Sequence, residues 1–178
     1  MRYLLDTNIV SEFRLPTPAT EVIAFIGAVD PASAFLSVVT VMEVHRGVAA
    51  LPVGKRRSEI EQWLVNDLLP EFDGRILDID QSTARMCGYL LGQRKLESTI
   101  RRSMDFWLAA TALQYDLAIV TRNERDFRDL GVEVVNPWVS RPPRPVAAAP
   151  VEPVVNTVAR LVCPGEFGYD VPFVPVDQ

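Results

Sequence analysis

The sequence predicts an α/β domain of three layers, helices packed on both faces of a central, mainly parallel sheet, and two observations predict it. Short apolar or β-branched runs recur at Tyr3-Leu4-Leu5, Phe35-Leu36-Ser37-Val38-Val39, Arg75 to Ile79, Leu117 to Thr121 and Val132 to Val135. Between them lie segments whose apolar residues recur at helical spacing. Strands that alternate with helices imply right-handed crossovers, and crossovers of that kind build a parallel sheet covered on both sides.

Taken in order, Tyr3-Leu4-Leu5 reads as a buried strand that runs into the polar turn Asp6-Thr7-Asn8, with a helix from about Ser11. Thr20 to Val29 is amphipathic. After the strand at Phe35 to Val39, a helix is expected near Val41 with Thr40 as its N-cap. Ile60, Trp63, Leu64 and Leu68 carry a helical stripe through Ser58 to Leu69, and Arg75 to Ile79 reads as a strand. Ser82 to Lys95 and Ser103 to Tyr115 read as helices, and Leu117 to Thr121 and Val132 to Val135 as the last strands. The composition then changes: nine of the 14 prolines stand from Pro137 onward, and Arg141-Pro142-Pro143-Arg144-Pro145 reads as an extended linker. The expected division is a domain over 1–138 and a Pro-rich linker and tail over 139–178, too small to hold a core of its own.

Composition narrows the class. The chain is 48% hydrophobic and 23% charged with both signs interspersed, as in a soluble globular protein. A net charge of -5 argues against the broad basic surface of most nucleic-acid binders. It leaves room for a metal-dependent enzyme, whose carboxylates recruit the positive charge as a divalent ion. Cys87 and Cys163 stand far apart and imply no disulfide framework, and no apolar run is long enough for a signal peptide or a membrane span. A soluble, cytoplasmic protein is expected.

In open parallel sheets, ligands gather outside the carboxyl ends of the strands. Four acids stand at element ends in this reading: Asp6, Glu43, Asp105 and Asp126. An oxygen-rich set suits magnesium or manganese, and a single histidine, His45, disfavours zinc and a histidine-based mechanism. Each acid also fits a plain structural role. Asp6 suits a turn, Glu43 would close a capping box with Thr40, Asp105 would complement a helix dipole, and Asp126 would be a solvated loop acid. The run Lys55-Arg56-Arg57 reads as a solvated face, and Trp63, Trp107 and Trp138 stand at core-like or domain-edge positions instead of forming a stacking platform.

Four ordered blocks carry a resemblance. Leu4-Leu5-Asp6-Thr7-Asn8-Ile9-Val10-Ser11-Glu12, then Ser37 to Glu43 with Arg46-Gly47, then Asp105 with Leu108-Ala109-Ala110-Thr111-Ala112 are similar to the three opening blocks of VapC-type PIN-domain toxins. Val120-Thr121-Arg122-Asn123 with Asp126-Phe127, and the closing Asn136-Pro137-Trp138, complete the set and resemble the FitB branch. The resemblance implies a PIN-like fold over Met1 to Trp138 and a Mg2+-dependent (or Mn2+-dependent) endoribonuclease. Asp6, Glu43 and Asp105 would be its metal-binding acids, Asp126 would stand fourth, Thr121 and Asn123 could hold a metal-bound water or the scissile phosphate, and Asn8 would be a further supporting residue. It also implies a homodimer and a small VapB/FitA-like antitoxin that covers the acidic groove and meets operator DNA on the toxin's behalf. Two rivals share the acidic sheet edge: a receiver-like phospho-signalling domain, which would need a lysine that Val120-Thr121-Arg122 does not offer, and a non-catalytic antitoxin-binding module. A flap-type DNA nuclease is the nearest enzymatic alternative, but no insertion is present to form a DNA arch.

Overall fold

In the computed structural model, residues 1–93 and 103–139 are described. They form a five-stranded sheet in the order β3-β2-β1-β4-β5, every neighbouring pair parallel. The strands are β1 (Tyr3–Leu5), β2 (Ala34–Ser37), β3 (Ile76–Leu77), β4 (Ala118–Val120) and β5 (Val134–Val135). The main helices are α1 (Thr7–Glu12), α2 (Thr20–Ala28), α3 (Val38–Ala49), α4 (Lys55–Trp63), α5 (Leu69–Glu71), α6 (Gln81–Gly92), α7 (Ser103–Tyr115) and α8 (Glu124–Phe127). A short 3-10 turn, Pro31–Ser33, leads into β2, and a π-helical stretch, Leu64–Leu68, joins α4 to α5. Among the described residues no helix is long and apolar enough to cross a membrane.

The central strands β1 and β4 are buried along their whole length and alternate between two cores. Tyr3 and Leu5 of β1, with Ala118 and Val120 of β4, face a core completed by Phe13, Phe25, Val44, Trp63 and Leu64. Leu4 and Ile119, the residues between them, face the opposite core with Cys87, Phe106, Leu108 and Phe127. Successive side chains on a strand point to opposite faces, so three residues suffice to join both cores. Leu4, Leu36, Ile119 and Val120 are fully buried. Burial also pushes the Cys87 thiol up to about 11, which makes it a small buried hydrophobe with little thiolate to react. Cys163, the linker and nearly all of the expected tail over 139–178 lie outside the described residues.

Several expected boundaries shift. The first helix begins at Thr7 instead of about Ser11, because the Asp6 carboxylate accepts the Thr7 N–H and caps it. The strand expected over Phe35 to Val39 ends at Ser37, whose hydroxyl accepts the Val39 N–H at 3.2 Å and caps α3. Thr40 is therefore no N-cap, and its hydroxyl donates to the Leu5 carbonyl at 3.2 Å. The β-branched run Val38-Val39-Thr40-Val41 is helical, since packing against the sheet outweighs local propensity. The strand expected over Arg75 to Ile79 shrinks to two residues at the sheet edge, and the part of the sixth helix expected beyond Gln93 lies outside the described residues.

Candidate active site

The strand order reverses between β1 and β4: one crossover path runs outward through β2 and β3, the other through β4 and β5. Parallel sheets open a crevice at such a switch point, beyond the strands' carboxyl ends. The two residues that leave these strands are Asp6 and Thr121. Both are held by the ladder itself, since the Asp6 N–H donates to the Val120 carbonyl at 3.1 Å and the Thr121 N–H to the Val135 carbonyl at 3.0 Å.

Asp6 is only 7% exposed. Its Oδ1 accepts the Thr7 N–H at 2.6 Å, and its Oδ2 accepts the Asn8 Nδ2 at 2.7 Å and the Thr121 hydroxyl at 2.5 Å. Burial pushes the carboxyl up to about 6, the nearby Glu43 adds to the rise, and the three donors pull against it. Asp6 is thus both the cap of α1 and a buried carboxylate held ready to ionise.

Glu43 lies in the second turn of α3, outside any capping box. Its Oε2 accepts the Thr7 hydroxyl at 2.6 Å, and its Oε1 stands 3.7 Å from the Arg46 guanidinium. Thr7 therefore joins the first two acids, its N–H on Asp6 and its hydroxyl on Glu43. Asp105 is the third residue of α7, 9% exposed, with its Oδ2 fully buried. Helix α7 packs on α3, which carries Glu43. Asp126 stands half-buried in α8, one turn beyond Thr121, with its N–H donated to the Asn123 carbonyl at 3.1 Å.

Thr121 is fully buried, and its hydroxyl is committed. It donates to Asp6 and accepts from the Asn8 Nδ2 at 2.9 Å and the Asn123 N–H at 3.0 Å, which exhausts one donor and two lone pairs. Its geometry suits it to position Asp6; it has no hydrogen-bonding capacity left for a water or a phosphate. Asn123 contributes a backbone amide, and its side chain is exposed. Asn8 also accepts the Arg122 N–H at 3.3 Å, which ties the β4–α8 loop back to the first turn.

Among the described residues, no three His, Cys, Asp or Glu side chains close into one ion-sized cage as they stand. Buried carboxylates repel one another, and Asp6 and Glu43 instead turn to hydroxyl and amide donors. The donor chemistry nonetheless fits a hard divalent cation: Asp6, Glu43 and Asp105 offer only oxygen, and the raised Asp6 carboxyl is one that a cation would relieve.

Sequence reasoning passed over Thr7 and the C-terminal brace. Asn136 is buried, and its Nδ2 donates to Glu124 Oε1 at 2.6 Å while its Oδ1 accepts the Trp138 N–H at 3.1 Å. The Arg122 guanidinium lies 5.3 Å from the centre of the Trp138 ring, and Arg14 lies over Trp63 at the same distance. Among the described residues, Trp63 and Trp138 are therefore each covered by an arginine. The signal available for Thr7 was a second short polar residue directly after an acid at a strand end.

The PIN-domain family model matches residues 3–133. The chain belongs to the PIN-domain family. Among curated members, this PIN-domain chain is 35% identical over 135 residues to a VapC ribonuclease of Sinorhizobium fredii, covering 76% of this chain and 96% of that one. It is 36% identical over 135 residues to toxin FitB of Neisseria gonorrhoeae, covering 76% and 97%. The crystal structure of FitAcB from Neisseria gonorrhoeae superposes with a TM-score of 0.71 at 35% identity over 78% of this chain and 99% of that one. That of FitAB bound to a DNA fragment gives 0.70 at 31% identity over 78% and 97%. The expected PIN-like fold, a central parallel sheet flanked by helices, is the fold of these structures.

Proposed function

We propose that this chain is the toxin of a type II toxin–antitoxin pair, an endoribonuclease that hydrolyses RNA phosphodiester bonds with Mg2+ as its cofactor. The single observation that carries the reading is the Thr7 bridge, which draws Asp6 and Glu43 together at the switch point of a PIN-domain sheet. The likeness to a VapC ribonuclease and to toxin FitB, each matched over nearly its whole length, supports it.

Asp6, Glu43 and Asp105 would hold the ion, with Asp126 the candidate fourth acid and Mn2+ an acceptable substitute. A divalent ion bound there supplies Lewis-acid stabilisation of charge on the phosphodiester. The chain's own residues prepare the place. Thr7, Asn8 and Thr121 favour the ionised form of Asp6 and fix its orientation, and Thr7 orients Glu43. Orienting groups of this kind reduce the reorganisation required at the moment of reaction.

The partner is a small VapB/FitA-like antitoxin whose arm covers the acidic groove, where a basic side chain would neutralise the carboxylates. Contact with operator DNA is through that antitoxin, and the working toxin is a homodimer. The receiver-like reading fails for want of a lysine after β4, where Arg122 stands exposed.

Purified full-length protein should cleave total RNA when Mg2+ is added, and Asp6→Asn should abolish the cleavage while leaving the fold intact by circular dichroism. Undiminished cleavage by Asp6→Asn would overturn the assignment.

A further inference from the structure

Arg122 contrasts with Arg46, Arg57 and Arg75, whose guanidinium groups are taken up by acids. Arg46 faces Glu43, Arg57 faces Glu61 and Arg75 faces Glu71, each in an ion pair. Arg122 makes no ion pair among the described residues, is exposed, and rests its guanidinium on the Trp138 ring at 5.3 Å. Its main chain is fixed at the rim of the acidic crevice. The residue before it, Thr121, donates to Asp6, and its own N–H donates to Asn8, which in turn donates to Asp6.

We propose that Arg122 contacts a backbone phosphate of the RNA beside the bond to be cut, and that Trp138 positions it to do so. This rests on the ribonuclease reading. A polyanion that approaches a protein of net charge -5 through a cluster of carboxylates needs fixed positive charge at the rim. An arginine stacked on an aromatic face keeps its N–H edge open, and that edge matches a phosphate bidentately. Stacking also removes rotamer freedom before the ligand arrives, so less is lost when the contact forms. The brace that seats Trp138 is itself pinned to the same loop, since Asn136 holds the Trp138 N–H on one side and Glu124 on the other. In this way the Asn136-Pro137-Trp138 ending holds the ring under the arginine.

The test uses the full chain and a fluorescein-labelled single-stranded RNA of mixed sequence, with binding followed by anisotropy in Ca2+ at several salt concentrations. Arg122→Gln should weaken binding about tenfold and lower the slope of log affinity against log salt by about 0.7, the signature of one phosphate contact on a single strand. Arg122→Lys should keep the slope and lose part of the affinity. Trp138→Leu should weaken binding in the same direction, and Trp138→Phe should restore most of it. Unchanged affinity and slope in Arg122→Gln would overturn the proposal, and because Arg122 is exposed that variant decides the matter even if Trp138→Leu fails to fold. Mg2+-dependent cleavage of total RNA by the wild type is read in parallel. Cleavage with unaltered Arg122→Gln binding refutes this contact alone, whereas no cleavage removes the ribonuclease reading and the contact with it.

Discussion

Thr121 donates its hydroxyl to Asp6 at 2.5 Å although 115 positions separate the two along the chain. The pairing follows from the parallel register of β1 and β4, in which Leu5 stands beside Val120, so the next residue of each strand emerges at the same edge. Thr121→Val keeps the shape and deletes the donor. The buried carboxylate then loses a hydrogen bond to its charged form, at a cost of about 1.5–3 kcal/mol near neutral pH. A lowered Tm and a fall in RNA cleavage of about ten- to a hundredfold are expected, the latter because outer-shell partners of metal ligands carry effects of that size.

Thr7 is tested by the pair Thr7→Ser and Thr7→Val. Serine retains the hydroxyl that reaches Glu43 at 2.6 Å, and valine removes it while the Thr7 N–H to Asp6 remains. Thr7→Ser should keep cleavage within about threefold of wild type, and Thr7→Val should raise the Mg2+ concentration for half-maximal activity by about tenfold or more. Equal Mg2+ titrations for the two variants would show that the bridge is without consequence.

Asp6 makes stability depend on pH in a particular direction. Its carboxyl is raised from 3.8 to about 6, chiefly by burial, so the folded state favours the protonated form. The stability contributed by that protonated form is complete below about pH 4 and is lost as pH rises through about 6. In the presence of a chelator, Asp6→Asn should therefore be more stable than wild type near pH 7.5 by about 3 kcal/mol at most, and the advantage should vanish near pH 4. Urea midpoints at the two pH values measure it, and an advantage of equal size at both would contradict the account.

Phe127 anchors α8, the segment that carries Asp126, and is 2% exposed in the core that holds Leu4 and Ile119. Phe127→Ala should cost about 3–5 kcal/mol, measured by denaturant unfolding. The Arg46–Glu43 pair is a contrasting case: Arg46 is 56% exposed in its side chain, so Arg46→Ala should change stability by less than about 1 kcal/mol.

What was legible in the residues alone is whatever repeats over a few positions. Alternating β-branched runs and helical stripes gave away the α/β class, and four acids at element ends, read with the Asp6-Thr7-Asn8 and Asn136-Pro137-Trp138 blocks, pointed to the family. Helix starts were misplaced where a side chain's partner lies elsewhere: Thr40 looks like a cap beside Glu43, yet its hydroxyl is engaged by Leu5, 35 positions away. Only the folded chain could choose between Glu43 as a helix cap and Glu43 as Thr7's partner across 36 positions, or raise the Asp6 carboxyl, or lay Arg122 on Trp138. Periodicity encodes which face of an element is apolar and so drives burial. Hydrogen bonds, field and exclusion of water at the crevice depend on strand order and register, which no short window of sequence contains.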